Sequence, residues 1–452
     1  MKTIEEHRIV IREIADYAFN FGVEAVGVEA IKKGLTGGWD KEIQDLFYTK
    51  CHEGFKIAQN KIVEEVKYYQ ALYRAKTASV KESRRKRDKG MEKSIGNEIK
   101  IINQRLHTLS HMADGIAWQI LGGQIHIARQ FHIGEDSSKF LDSSNIESAK
   151  KVADQINENP MDFALISDLT GFIQIGDLLV RRNKSLQILE LKEGKMNEVV
   201  SEFLDDLEKT GRELDADSLK ETFDEKTIKQ IKRVRRQVVR GQQATEIMRT
   251  DKGIDPASGA HMSIGTPTIP TEFYHKELEQ LQEQLKSNTW SYTVIDACLH
   301  IGMYRDAAIS GAGFIIKEIL KHQTPNFIIV DWLSITQNLS EPIFAKPFHP
   351  DFIVDVLTGR VKIIMGINMD ILIELFDSLG LKARWLSEKE TQKMKQKIKG
   401  KGMVIVNKRG IGFTLPGEPE SVMIGGMLSK FLYDNIKPSN LALSYLSMTK
   451  PG

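Results

Sequence analysis

The sequence predicts a mixed α/β chain. A helical N-terminal region covers 1–135, an α/β core 136–250, a linker or long loop 251–272, and a C-terminal α/β or α+β region 273–452. Three observations carry this reading. Apolar residues recur at spacings of three and four in "CHEGFKIAQNKIVEEVKYYQALYRA", residues 51–75, and no proline occurs before Pro160. Three β-rich stretches, "DFALISDL", "FIQIGDLLVRR" and "LQILELKEG", then follow with Thr-Gly and Asn-Lys-Ser between them. Beyond "DKGIDPASGAHMSIGTPTIPTE", strand-like runs "SYTVIDACLHIGMY", "NFIIVDWLSI", "RVKIIMGI" and "KGMVIVNKRGIGFTL" alternate with helical patterns.

Composition sets the class. The 452 residues are 41% hydrophobic and 27% charged with a net charge of +2, so any nucleic-acid affinity must come from local basic patches. Cys51 and Cys298 form neither a disulfide framework nor a zinc site. The N-terminus is charged throughout and no run reaches ~18 uninterrupted apolar residues. A cytoplasmic protein without a membrane segment is expected.

Within the helical region, Arg84, Arg85, Lys86 and Arg87 centre a basic run, read as an exposed helix face or a loop between helices. His107 and His111 are four apart and share a helix face, one geometry for a metal pair, though no Glu of a metalloprotease helix stands between them. The helix "NIESAKKVADQIN" stops at "ENP", and helices resume at "KMNEVVSEFLDDLEKTGREL" and "EKTIKQIKRVRRQVVRGQQATEIMRT". In the last of these, Lys229, Arg233, Arg236 and Arg240 form one stripe and Ile231, Val234 and Val238 an apolar one.

The passage "IQIGDLLVRRNKSLQILELKEGK" places Asp177, Glu190 and Lys192 in otherwise apolar strands. Glu190 and Lys192 share a strand face. A two-residue turn at Lys184-Ser185, with Arg182 opposite Gln187, sets Asp177 across from Lys192 and diagonal to Glu190. A three-residue turn at Asn183-Lys184-Ser185 sets Asp177 opposite Leu191 instead. The first register gathers two carboxylates and an ammonium. Such carboxylates repel unless a hard divalent cation joins them, and a lysine beside it can orient water and neutralise a phosphoryl transition state.

Asp177, twelve intervening residues and then Glu190-Leu191-Lys192 on consecutive strands resembles the PD-(D/E)XK nuclease superfamily. The resemblance implies a restriction-endonuclease-like core over about residues 144–250. It also implies that Asp177, Glu190 and the Leu191 carbonyl bind Mg2+ (or Mn2+), and that Lys192 is the catalytic lysine. The stripe Lys229, Arg233, Arg236 and Arg240 would meet nucleic acid, DNA in preference to RNA, with Gln230 or Gln237 beside the active site. Gly176 stands where the family's proline would be, and Glu147 and Asp114 are both candidates for an additional acid. Large flanking regions resemble those of standalone prokaryotic defence nucleases, and a homo-oligomer is compatible with them. The alternative is a non-catalytic nucleic-acid-binding or scaffold protein with a decayed nuclease-like fold. The C-terminal region has no phosphate-binding loop and no nucleophile elbow. Cys298 and His300 stand two apart, and Asp296, Asp331 and Asp355 read as loop-capping residues. A regulatory or assembly role is expected of it.

Overall fold

The computed structural model describes residues 1–124, 146–182, 185–189, 191, 268–333, 341–398 and 402–448, with 128, 131, 228, 239, 243, 250, 252–254 and 261–263. The chain forms two units, one of Glu13–Ile264 and one of Met1–Arg12 with Gly265–Gly452.

In the first unit, a π-helical turn at Asp16–Asn20 follows α1 (Ile4–Ala15) and leads into α2 (Phe21–Val26) and α3 (Val28–Leu35). α4 (Lys41–Arg85) and α5 (Lys89–Ile120) then pack on each other. Asp40 and Asp88 cap their first turns by accepting the Ile43 and Met91 N–H groups. The helical spacing buries Phe55, Ile62, Val66 and Tyr69 of α4 and Ile102, Leu106, Leu109 and Ala113 of α5. A buried Arg105 donates to the Tyr69 hydroxyl at 3.1 Å. The basic run ends α4 and turns into α5, with Arg87 at φ 56°. Arg84 pairs with Glu92 at 2.7 Å and Lys86 with Glu82 at 2.6 Å, both largely exposed.

α6 (Ile146–Asn157) packs on β1 (Phe163–Ile166), which continues into an antiparallel meander with β2 (Leu178–Arg182) and β3 (Ser185–Leu189). The helical region and this sheet, separated at 135/136 in the sequence reading, lie in one unit. The physical reason is Gln59 of α4. Its side chain donates to the Ala164 carbonyl at 3.0 Å and accepts the Ile166 N–H at 2.9 Å, while Phe55 and Phe163 meet at 5.4 Å. Part of the expected linker is also structured, since β4 (Lys252–Ile254) and β5 (His261–Ser263) pair antiparallel. The helices expected at 195–214 and 225–250 fall outside the described residues, apart from scattered single positions.

The second unit is α+β. α7 (His275–Ser287) precedes the hairpin β6 (Trp290–Ile295) and β7 (Leu299–Arg305), which reads in the sequence as one run. The interruption is a turn at Asp296 and Ala297 with φ 46° and 57°, a conformation that gives no glycine signal here. With α8 (Ala312–Lys321), β8 (Phe327–Asp331), α9 (Pro350–Leu357) and β9 (Val361–Asn368), it builds a four-stranded antiparallel sheet of order β6-β7-β9-β8. α10 (Met369–Ser378) leads to a smaller sheet of β10 (Arg384–Trp385), β11 (Ile405–Val406), β12 (Arg409–Phe413) and β13 (Ser421–Val422), with α11 (Glu388–Lys397) beside β12. α12 (Gly425–Leu432) and α13 (Pro438–Met448) close the unit. The first twelve residues join it through ion pairs, Arg8 to Asp355 at 2.8 Å, Arg360 to Glu5 at 2.9 Å and Arg12 to Asp351. A fully buried Lys346 pairs with Glu341, whose N–H donates to Asp434, and burial pulls the Lys346 pKa down. Among the described residues, no helix is long and apolar enough to cross a membrane.

Candidate active site around Asp177

The loop between β1 and β2 positions the first motif acid. Ser167 accepts from Thr170, whose hydroxyl in turn accepts the Ile173 N–H at 3.1 Å. The two ends of the loop meet where the Ser167 N–H donates to the Asp177 carbonyl at 2.9 Å. Leu169, Thr170, Phe172, Ile173 and Ile175 are buried, so the loop is part of the core. Asp177 therefore stands just before β2, not inside a strand as the sequence pattern suggests. The cause is Gly176, at φ 74°. A Cβ there would lie 2.2 Å from Ile188 Cγ2 and 3.2 Å from the Leu189 carbonyl oxygen. Proline, fixed near −65°, cannot take this conformation, so Gly176 enters β2 in a way the motif's proline would not. Gly176→Ala should cost about 2–4 kcal/mol from left-handed strain and contact with Ile188. A lowered urea midpoint with unchanged slope is the expected reading; an unchanged midpoint would show that the loop relaxes freely.

The hairpin register also differs from expectation. Arg182 pairs with Ser185 and Leu178 with Leu189, two residues earlier on β3 than the two-residue turn would give and one earlier than the three-residue turn. The Ser185 hydroxyl donates to the Arg182 carbonyl at 2.7 Å and tightens the connection. The shift of two from the first register keeps the faces that it paired, whereas the shift of one from the second exchanges them.

Asp177 bridges the strand ends. Its N–H donates to the Leu189 carbonyl at 2.8 Å and its carboxylate accepts the Leu191 N–H at 2.5 Å. The structure thus brings together two predicted site residues, Asp177 and Leu191. Glu190 and Lys192 lie outside the described residues, as do Lys229, Gln230, Arg233, Arg236, Gln237 and Arg240. Asp177 offers the hard oxygen donor that magnesium takes, which suits that ion by chemistry. Among the described residues, no three His, Cys, Asp or Glu side chains come together around one point.

The two candidates for an additional acid separate clearly. Glu147 is a surface group, 71% exposed and paired with Lys67 at 2.6 Å. Asp114 is buried on α5, where it accepts the Gly171 N–H at 2.7 Å and also bonds the Phe172 N–H. Burial pushes its carboxyl up to about 7. His111 Nδ1 lies 3.8 Å from Asp114, and burial lowers His111 to about 3, so the ring is neutral at physiological pH and makes no ion pair. His107 and His111 sit with ring centroids 5.9 Å apart, without a third ligand among the described residues.

Elsewhere, Cys298 and His300 do not form a nucleophilic pair. The Cys298 thiol is buried in the β6–β7 turn and pushed up to about 12, while His300 Nδ1 is engaged by the Tyr292 hydroxyl at 2.5 Å. Asp296 does cap a loop, accepting the Ser439 N–H at 2.8 Å, and Asp331 accepts the Leu333 N–H at 3.2 Å; Asp355 instead pairs with Arg8. A cleft of about 300 Å³ in the second unit is lined by Arg305, Asp351, Asp355 and Arg360, each in an ion pair. Comparisons with protein-family models, with curated proteins and with solved structures find no match.

Proposed function

We propose that this chain is a Mg2+- (or Mn2+-) dependent nuclease with a restriction-endonuclease-like core, hydrolysing phosphodiester bonds of DNA in preference to RNA. The observation that carries the reading is the meeting of Asp177 with Leu191 at 2.5 Å, which joins the ends of the two chain segments bearing the motif acids. An antiparallel meander preceded by a packed helix supports it. In this reading Asp177, Glu190 and the Leu191 carbonyl would hold the metal, which would supply charge neutralisation at the phosphate and a more acidic bound water. Lys192 orients that water and balances charge as the leaving oxygen departs. Defence against foreign nucleic acid is the corresponding role by analogy with standalone nucleases.

A second reading has its own observation. Asp177 already accepts a backbone N–H, which is what a purely structural turn acid does. The chain would then be a non-catalytic nucleic-acid-binding or scaffold protein. Incubating the full chain with plasmid DNA and structured RNA, with and without magnesium or manganese, decides between them. Metal-dependent cleavage supports the nuclease; binding without cleavage in any metal supports the scaffold.

Neutralising Arg233, Arg236 and Arg240 should weaken DNA binding in a salt-sensitive manner. Each phosphate that the variant no longer neutralises lowers the steepness of log affinity against log salt by about 0.9 on duplex DNA. A slope that stays the same would mark the stripe as a solvated face.

A further inference from the structure

Strand β6 is an open edge of the four-stranded sheet. One face is filled by α7, whose Leu278, Leu281 and Leu285 are buried and whose Leu281 carbonyl accepts the Ser291 hydroxyl at 2.9 Å. On the other face α8 packs on β7, β8 and β9, close enough that a Cβ on Gly366 would lie 2.4 Å from Leu320 Cδ1. That helix's apolar cluster reaches Tyr292 of the outer strand but leaves Trp290 and Val294 open. Trp290 is 47% and Val294 38% exposed.

The backbone of this edge is unsatisfied in a regular way. The Arg305 N–H donates to the Thr289 carbonyl at 2.8 Å, which fixes the phase of the ladder. Ser291, Thr293 and Ile295 then bond β7, while the N–H and C=O groups of Trp290, Tyr292 and Val294 point away from the sheet. Among the described residues, nothing pairs with them. Edge strands are ordinarily blunted by lysine, proline or a bulge. "WSYTVI" has no charge and no proline, and its ladder to β7 is unbroken over six pairs. The opposite edge strand, β8, ends in Asp331, paired with Lys362 at 3.1 Å.

We propose that β6 is a homodimer interface: two copies of this chain join antiparallel through β6 about a twofold axis at Tyr292. The occupant is a second copy because the outward groups are self-complementary. With Trp290, Tyr292 and Val294 pointing outward on both strands, Tyr292 falls opposite Tyr292 of the second copy and Trp290 opposite its Val294. About six backbone hydrogen bonds then close, two for each facing pair. The side-chain pairs are of the aromatic and β-branched kind that stabilises strand pairing. The two four-stranded sheets become one continuous sheet, and the exposed Trp290 and Val294 of both copies lie side by side on one of its faces. No charge on β6 opposes the approach, and a net charge of +2 leaves little repulsion between whole chains. The proposal is independent of the nuclease reading.

Light scattering on the full chain over a concentration series tests it. The expected mass is twice 51.2 kDa, falling to a single chain in Val294→Lys and in Trp290→Lys, with Ile405→Lys, a comparably exposed site on β11, remaining dimeric. Circular dichroism checks that the lysine variants are folded. Should either misfold, Tyr292→Cys supplies a second measurement, because the twofold register sets the two thiols opposite each other and oxidation links them into a dimer. Tyr292→Cys chains that stay unlinked under oxidant, a wild-type chain that is single at every concentration, or a dimer that survives both folded lysine variants would each overturn the proposal.

Discussion

Glu190→Ala, Lys192→Ala and Asp177→Asn should each reduce metal-dependent cleavage of plasmid DNA by about 10²–10⁴-fold, the range for losing one charged group that acts on the transition state. The three variants separate by a second measurement. On the nuclease reading Asp177→Asn removes a charged ligand, so it should weaken magnesium binding in calorimetric titration, whereas Lys192→Ala should leave that affinity nearly unchanged. Asparagine keeps an oxygen able to accept the Leu191 N–H, so Asp177→Asn should melt close to wild type. Asp177→Ala leaves that N–H without its partner and should cost about 1–3 kcal/mol in addition. The pair of substitutions distinguishes the metal role from the structural one. Wild-type cleavage by purified Glu190→Ala and Lys192→Ala would sink the assignment. A stability loss in Asp177→Ala without any cleavage by wild type would leave Asp177 as a turn acid.

What could be read from the sequence was local and periodic. The apolar spacing that marks α4 is the spacing that buries Phe55, Ile62, Val66 and Tyr69, and the three β-rich stretches do form a meander. The candidate site was legible as far as the hairpin and Asp177. Its register was not, because it is set by a Ser185 hydroxyl bond and by the close approach of Gly176 to Ile188, neither of which has a pattern. Gly176 carried only a general hint, since a glycine inside a strand-like stretch suggests a bulge or a close backbone approach but not which residue it approaches. Long-range pairing left no mark at all. Nothing in "MKTIEEHRIVIR" announces that Arg8 meets Asp355, 347 residues away, and draws the N-terminus into the other unit. Likewise Lys346 and Asp434 look like ordinary surface residues until the fold buries them beside Glu341. Asp114 was visible as an acid among Met112, Ala113, Ile116 and Ala117, a polar residue on an apolar helix stretch.

That acid should contribute stability that is lost as the pH rises, a contribution read against a variant that lacks the carboxyl. The Asp114 side chain is only 12% exposed, and burial raises its pKa from 3.8 to about 7 despite the Gly171 and Phe172 N–H bonds, which favour the charged form. Between these two values the folded chain holds a proton that the unfolded chain has released. Stability is therefore unaffected by this group below about pH 4, falls as pH rises toward 7, and levels off above it. Three pKa units correspond to about 4 kcal/mol as a ceiling. His111 works the other way in the intact chain, because burial keeps the folded ring neutral while the unfolded ring takes a proton below about pH 6.5, so the Asp114 contribution is read as the difference between wild type and a variant without the carboxyl. Asp114→Asn keeps the shape and an oxygen for the Gly171 N–H but cannot ionise. The variant should match wild type in urea at pH 4 and exceed it by up to about 4 kcal/mol at pH 8. Equal pH dependence in both proteins would show that the Asp114 carboxyl titrates normally. The consequence reaches the site, because the loop that Asp114 grips at Gly171 is the one that ends at Asp177. Ionising a buried carboxyl there loads the segment that leads into Asp177.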